Sequence, residues 1–85
     1  MSTIKTIKIN GKSLNVRPLN NGRSDRENVI NADKLGIDIH RKVYIQVPQT
    51  NTDMNKAIFV QDNRYYRIKR SSDKCYILAS GYIDN

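Results

Sequence analysis

The chain has 85 residues, 38% of them hydrophobic and 7% aromatic, and a formal net charge of +7. Such a length points to one domain, residues 1–85, with a small core, and no run approaches the roughly 20 apolar residues that span a bilayer. The single cysteine, Cys75, leaves no internal disulfide and no cysteine-only metal site. Met1 to Ile9 alternates apolar residues with lysine and threonine and holds no signal-peptide core, so the expected compartment is the cytoplasm.

The positive charge is segregated. Residues 1–23 carry Lys5, Lys8, Lys12, Arg17 and Arg23 with no acid, a charge of +5; residues 24–62 sum to −1 and residues 63–85 to +3. If the two basic segments fold together they build a common electropositive surface, which is the footprint of a polyanionic partner.

In chain order, the first element is a hairpin. Thr6–Ile9 runs into Asn10-Gly11, the preferred pair for a two-residue type I′ turn, and Lys12–Arg17 returns until Pro18, which has no N–H to donate. That turn pairs Ile9 with Lys12, Ile7 with Leu14 and Lys5 with Val16. Ile7, Ile9, Leu14 and Val16 then share the core face. After a polar loop at Leu19–Arg23, Ser24-Asp-Arg-Glu27 has capping-box spacing with Ser24 as N-cap. A short helix follows, with Val29, Ile30, Ala32 and Leu35 as its buried stripe and Gly36 as its stop.

Arg41–Val47 reads as a strand with Val43, Ile45 and Val47 inward, closed by Pro48; Gln49–Lys56 is a polar connection. Ala57–Gln61, a tight turn at Asp62-Asn63, Arg64–Arg70, a turn at Ser71–Lys74 and Cys75–Ser80 make a three-stranded meander. Its expected register pairs Val60 with Tyr65, Phe59 with Tyr66, Lys69 with Tyr76, Ile68 with Ile77 and Arg67 with Leu78. Ala57, Phe59, Tyr66, Ile68, Ile77 and Ala79 then form one core face. The other holds Ile58, Val60, Tyr65, Arg67, Lys69, Tyr76 and Leu78. That mixed surface is either a binding face or is covered by the N-terminal hairpin in a small barrel, with its cations reaching the rim. The expected fold is mostly β: five or six antiparallel strands, at most one short helix, and an open sheet or a partly open SH3-like barrel.

The stretch Arg64–Lys74, RYYRIKRSSDK, concentrates five cations and two tyrosines. Cations neutralise phosphates and a tyrosine ring stacks on a base, a chemistry suited to nucleic acid. The candidate RNA-binding set is Lys5, Lys8, Lys12, Arg17, Arg41, Lys42, Arg64, Tyr65, Arg67, Lys69, Arg70, Lys74 and Tyr76. No basic helix is available for a DNA groove and no RRM- or KH-type signature is present, which favours RNA or single strands over duplex readout. Other chemistries lack their parts. His40 and Cys75 have no ligand-type neighbours at metal spacing, the four glycines are scattered, and nothing pairs two carboxylates. The expectation is a binding protein with no cofactor, not an enzyme. RYYRIKR is similar to a strand of the RelE-like toxin endoribonucleases, but that family opens with helices where this chain opens with a hairpin.

The length, the hairpin at Ile4–Arg17 and the tyrosine-bearing basic strand at Arg64–Arg70 together resemble the TifA-like phage counter-defence proteins, inhibitors of the ToxN endoribonuclease. The resemblance implies an antitoxin-like protein whose partners are RNA and a host endoribonuclease toxin. RNA in the complex would suit the charge, because a basic inhibitor and a basic ribonuclease repel unless a polyanion lies between them. The alternatives are a protein–protein inhibitor acting through the mixed face without nucleic acid, and a small DNA-binding regulator. An unpaired edge strand leaves a homodimer open.

Overall fold

The computed structural model describes residues 4–20, 22–47, 56–70 and 74–84. Six strands follow one another as neighbours in a single antiparallel sheet: β1 Lys5–Ile9, β2 Lys12–Pro18, β3 Tyr44–Gln46, β4 Lys56–Gln61, β5 Arg64–Arg70 and β6 Cys75–Tyr82. Between β2 and β3, a 3₁₀ turn at Arg23–Asp25 runs into helix α1, Arg26–Lys34. The sheet curls into a half-barrel. Its first and last strands meet at one antiparallel bridge, Lys8 to Asp84, where the Asp84 amide donates to the Lys8 carbonyl at 2.8 Å.

Two turns set most of the register. Asn10 and Gly11 have φ of 51° and 84°, and Asp62 and Asn63 have 55° and 64°; both pairs sit in the left-handed region that a type I′ turn requires. The hairpin pairs Ile9 with Lys12, Ile7 with Leu14 and Lys5 with Val16 as expected. Val60 faces Tyr65, Phe59 faces Tyr66 and Ile58 faces Arg67. The third turn is anticipated at Ser71–Lys74, of which Ser71–Asp73 lie outside the described residues, as do Pro48 and nearly all of the Gln49–Lys56 connection. β3 is shorter than the expected Arg41–Val47 strand, but backbone bonds from Leu19 to Val43 (2.7 Å) and from Val47 to Asn15 (2.8 Å) extend its pairing on either side.

The sheet has apolar residues on both faces. Inside the curl, Ile7, Ile9, Val16, Ile58, Val60 and Tyr65 form one buried cluster. On the outside, α1 and the segment after it cover Val43, Ile45, Ala57, Phe59 and Ile68 with Ala32 and Ile37. At roughly 1.5–3 kcal/mol per buried large apolar side chain, both clusters are needed to offset the chain entropy of so small a domain. The helix stops as expected. Gly36 adopts φ 86°, Gly36 N–H donates to the Asp33 carbonyl (3.1 Å) and Ile37 N–H to the Ala32 carbonyl (3.0 Å), a Schellman closure.

The structure corrects four expectations. Ser24 is not the N-cap: it lies within the 3₁₀ turn, Asp25 precedes α1, and no side chain caps the helix. Ile30 is exposed, and Asn31 and Ala32 are the buried helix residues, because the helix is rotated toward the sheet about Ala32. Arg67 pairs with Ala79 rather than Leu78, since β6 carries an extra residue opposite Arg67/Ile68. That bulge moves Ala79 to the inner face and leaves Leu78 exposed. Ile77, expected in the core, is 40% exposed because α1 reaches Ile68 and Cys75 but does not cover β6 beyond them.

Candidate functional site

The inner face of the curl is filled at one end and open at the other. At the filled end Val60, Tyr65 and Ile83 close against Ile7 and Val16. Lys5 and Lys42 stand over the Tyr44 ring there, with Nζ 5.2 and 5.9 Å from its centre. At the open end a cleft of about 490 Å³ is lined by Lys12 and Leu14 of β2, Gln46 of β3, Ile58 of β4, Arg67 of β5 and Ala79 with Leu78 of β6. The cleft exists because β1 is short. Beyond the Lys8–Asp84 bridge and the hydrogen bond that the Gly11 N–H donates to the Asp84 carboxylate at 2.8 Å, no strand pairing among the described residues joins β2 to β6, so the inner surface opens to solvent.

Strand alternation fills this opening with its charges. Tyr65, Arg67 and Lys69 share the inner face of β5. Tyr65 pairs with Gly81 and lies inside the core, Arg67 stands at the lip of the cleft, and Lys69 follows one pleat further out, paired across the strands with Tyr76. Arg67, Lys69 and Lys12 are exposed, and among the described residues none of the three has a carboxylate partner. Tyr76 is 44% exposed. The mixed face of Ile58, Val60, Tyr65, Arg67, Lys69, Tyr76 and Leu78 is therefore divided. Its first three members are buried beneath the N-terminal hairpin, and the rest form a basic, partly aromatic rim.

The remaining candidates lie elsewhere. Tyr65, 9% exposed, cannot offer its ring to a base, which corrects its place in the binding set. Arg17 is on the outer face, where its guanidinium donates to both oxygens of the fully buried Asp25 carboxylate at 2.7 and 2.8 Å. Asn20 N–H (2.8 Å) and the Asn28 amide (3.2 Å) complete that carboxylate's shell. Arg17 is thus a structural cation and leaves the candidate surface. Its guanidinium holds the Asp25 carboxyl well below the usual carboxylate range, and Asp25 raises Arg17 in turn. Arg70 donates to Asn28 Oδ1 and ties β5 to the helix. Arg41 is exposed but bonded to Asp62 (2.6 Å) and Asp38 (3.1 Å). Lys8 is exposed on the outer face of β1, and Lys74 is exposed just before β6.

Arg64 is exposed on the outer face, 5.2 Å from the centre of the Tyr82 ring and 3.1 Å from its hydroxyl. Tyr82 escaped the sequence reading because the bulge sets the parity that pairs it with Arg64; Gly81 inside the strand was the available signal, since a strand glycine often marks a bulge or close approach. Gln46 and Leu14 were missed as cleft residues because the opening depends on how far β1 reaches.

Cys75 is half-buried, and desolvation pushes its thiol up, away from the reactive thiolate. Among the described residues no group of three metal-ligating side chains comes together, and no helix is long and apolar enough to cross a membrane. Comparison with protein-family models, with curated proteins and with solved structures finds no match to this chain.

Proposed function

We propose that this domain binds single-stranded RNA across the open end of its curled sheet, and that the binding serves to restrain an endoribonuclease toxin. The observation that carries the first part is the convergence of Lys12 and Arg67 on one cleft from opposite strands, with the Lys69–Tyr76 pair beside it and no carboxylate among them. Cations with no ion-pair partner remain available to phosphate, and a half-exposed ring between them can take a base. An open cleft with cations on two of its walls suits a single strand. A duplex would need a protruding helix or ribbon, and α1 carries Glu27 and Asp33 as well as Arg26 and Lys34. The role against a toxin rests on the resemblance in size and character to the TifA-like inhibitors.

Purification without nuclease treatment is the first test, with an absorbance spectrum weighted to 260 nm expected. Fluorescence anisotropy with a labelled single-stranded RNA then measures affinity against salt. Three phosphate contacts predict a slope near about −2 in log K against log salt, at roughly −0.7 per contact. A clean protein spectrum with no salt-dependent binding would overturn the RNA reading, and preference for duplex DNA in competition would replace it with a DNA-binding one. For the toxin role, an inhibitor–ribonuclease complex should dissociate when its RNA is digested. A complex indifferent to digestion is the outcome expected of the protein-only alternative.

A further inference from the structure

We infer that the outer face of β5 and β6 holds a second nucleotide site, built on Arg64, Tyr66, Ser80 and Tyr82, which one RNA strand reaches by folding over the β6 edge. The inference rests on the RNA reading of the inner cleft and extends it to the other side of the sheet. These four residues and Gly81 line an outer pocket of about 250 Å³. Strand pairing assembles it. Arg64 faces Tyr82 and Tyr66 faces Ser80, and the bulge at Arg67/Ile68 sets the parity that puts them on one face. Tyr66 packs against the helix-side cluster, whereas Arg64 and Tyr82 lie beyond it and are exposed.

The chemistry fits a base with its phosphate. Tyr82 is 65% exposed, the most accessible large apolar side chain among the described residues. The Arg64 guanidinium lies over its ring, 5.2 Å from the centre, and donates to the phenol oxygen at 3.1 Å. A guanidinium has five N–H groups, so this contact leaves others for a phosphate or a base edge. So much exposed ring leaves a surface for stacking. No carboxylate lines the pocket. The acids nearest in the chain are already engaged, Asp62 with Arg41 at 2.6 Å and Asp84 with the Gly11 amide at 2.8 Å. An acidic peptide would use the cation but not the ring.

The two sites stand back to back. Arg67 and its partner Ala79 line the inner cleft; one residue away on each strand, Tyr66 and its partner Ser80 line the outer pocket. β6 ends the sheet, and from Cys75 to Ser80 no strand pairs its far side among the described residues. A strand of RNA leaving Arg67 across Ala79 therefore meets Ser80 next, with Tyr82 and Arg64 beside it. Held at the first site, it meets the second at high effective concentration.

Fluorescence anisotropy on the nucleic-acid-free chain tests this with single-stranded RNAs of about four and about fifteen nucleotides, the two ends of the usual range for one small domain. The longer RNA should bind about tenfold tighter or more, because it engages both sites. Its salt slope should be steeper by about 0.7, for the added Arg64 contact. Tyr82→Ala and Arg64→Ala should each cut affinity for the longer RNA about tenfold and remove most of that gain. Tyr82→Phe keeps the ring and should bind nearly as the native chain does. Circular dichroism checks that each variant folds. If one does not, amide resonances of the native chain decide: the longer RNA must move Tyr66, Ser80 and Tyr82 together with Arg67 and Ala79. Shifts confined to the inner cleft, or Arg64 and Tyr82 variants that bind both RNAs as the native chain does, overturn the second site. Loss on Arg64→Ala with none on Tyr82→Ala overturns it too, since a bare cation serves any polyanion. A native chain that binds neither RNA fails the RNA reading itself; binding that needs Arg67 and Lys69 but neither Arg64 nor Tyr82 fails this inference alone.

Discussion

The Tyr65 ring occupies the space above Gly81. A Cβ built on Gly81 would stand 3.0 Å from Tyr65 Cε1 and 3.3 Å from its hydroxyl oxygen. The two residues are cross-strand partners on the inner face, and the missing side chain is what lets the ring fold down against Val60 and Ile83 instead of projecting into solvent. Gly81→Val should therefore cost about 1–3 kcal/mol, the usual penalty of overpacking a filled site. Urea unfolding followed by tyrosine fluorescence measures it. A neutral result would mean that the ring has room to move, and with it that the filled end of the curl is loosely packed.

Asp25 is the buried charge on which the outer layer depends. Arg17 brings β2 to it, Asn20 the following loop and Asn28 the helix, so one carboxylate ties three segments. Because folding lowers its pKa, the stabilisation is fully present above the unfolded value near about 4 and drains away as pH falls from there toward the folded value. The native chain should lose stability on acidification below about pH 4. Asp25→Asn should be less stable at pH 7 by about 2–4 kcal/mol, somewhat below the range for breaking a buried pair because Arg17 retains some solvent. The variant should also lack that part of the acid slope. Chemical denaturation at pH 7, 5, 4 and 3 separates the two contributions.

The parts of the fold legible from sequence were those fixed by local chemistry. Asn10-Gly11 and Asp62-Asn63 prescribe left-handed turn residues, and a two-residue turn leaves only one register, so the pairings of β1 with β2 and β4 with β5 followed. Gly36 ended the helix for the same reason. The pairing of β5 with β6 failed at Leu78 because an alternation rule cannot see an extra residue, and a single slip reverses every later side chain. The binding set was legible as composition but not as geometry. Arg17 and Arg67 look alike in sequence; one sits on a buried carboxylate contributed from eight residues away, the other on an open lip.

That distinction predicts how arginine variants divide. Arg67→Ala combined with Lys69→Ala should leave the unfolding midpoint nearly unchanged, weaken single-stranded RNA binding at least tenfold at low salt, and reduce the salt slope by about 1.4, two contacts' worth. Arg17→Ala should instead destabilise the domain, since it strands the buried Asp25 charge. Titrations in parallel with thermal melts check both. If the Arg67/Lys69 pair proves silent in binding, the cleft is not the RNA surface.

Two tyrosines on the same face, eleven residues apart, should behave in opposite ways. Tyr65 is buried among Ile7, Val16 and Val60, so Tyr65→Ala opens a cavity that should cost about 3–5 kcal/mol and lower binding only through unfolding. Tyr76 stands half in solvent, with Lys69 as its cross-strand neighbour. Tyr76→Ala removes one exposed strand pair, a loss of about 0.2–1 kcal/mol in stability, yet forfeits about 1–3 kcal/mol of affinity where a base stacks on the ring. Tyr76→Phe keeps the ring face and should bind nearly as the native chain does. Measured at a temperature where every variant is folded, an affinity order of native, Tyr76→Phe and then Tyr76→Ala assigns stacking to this ring. Equal affinities for all three would leave only the cations to hold the strand.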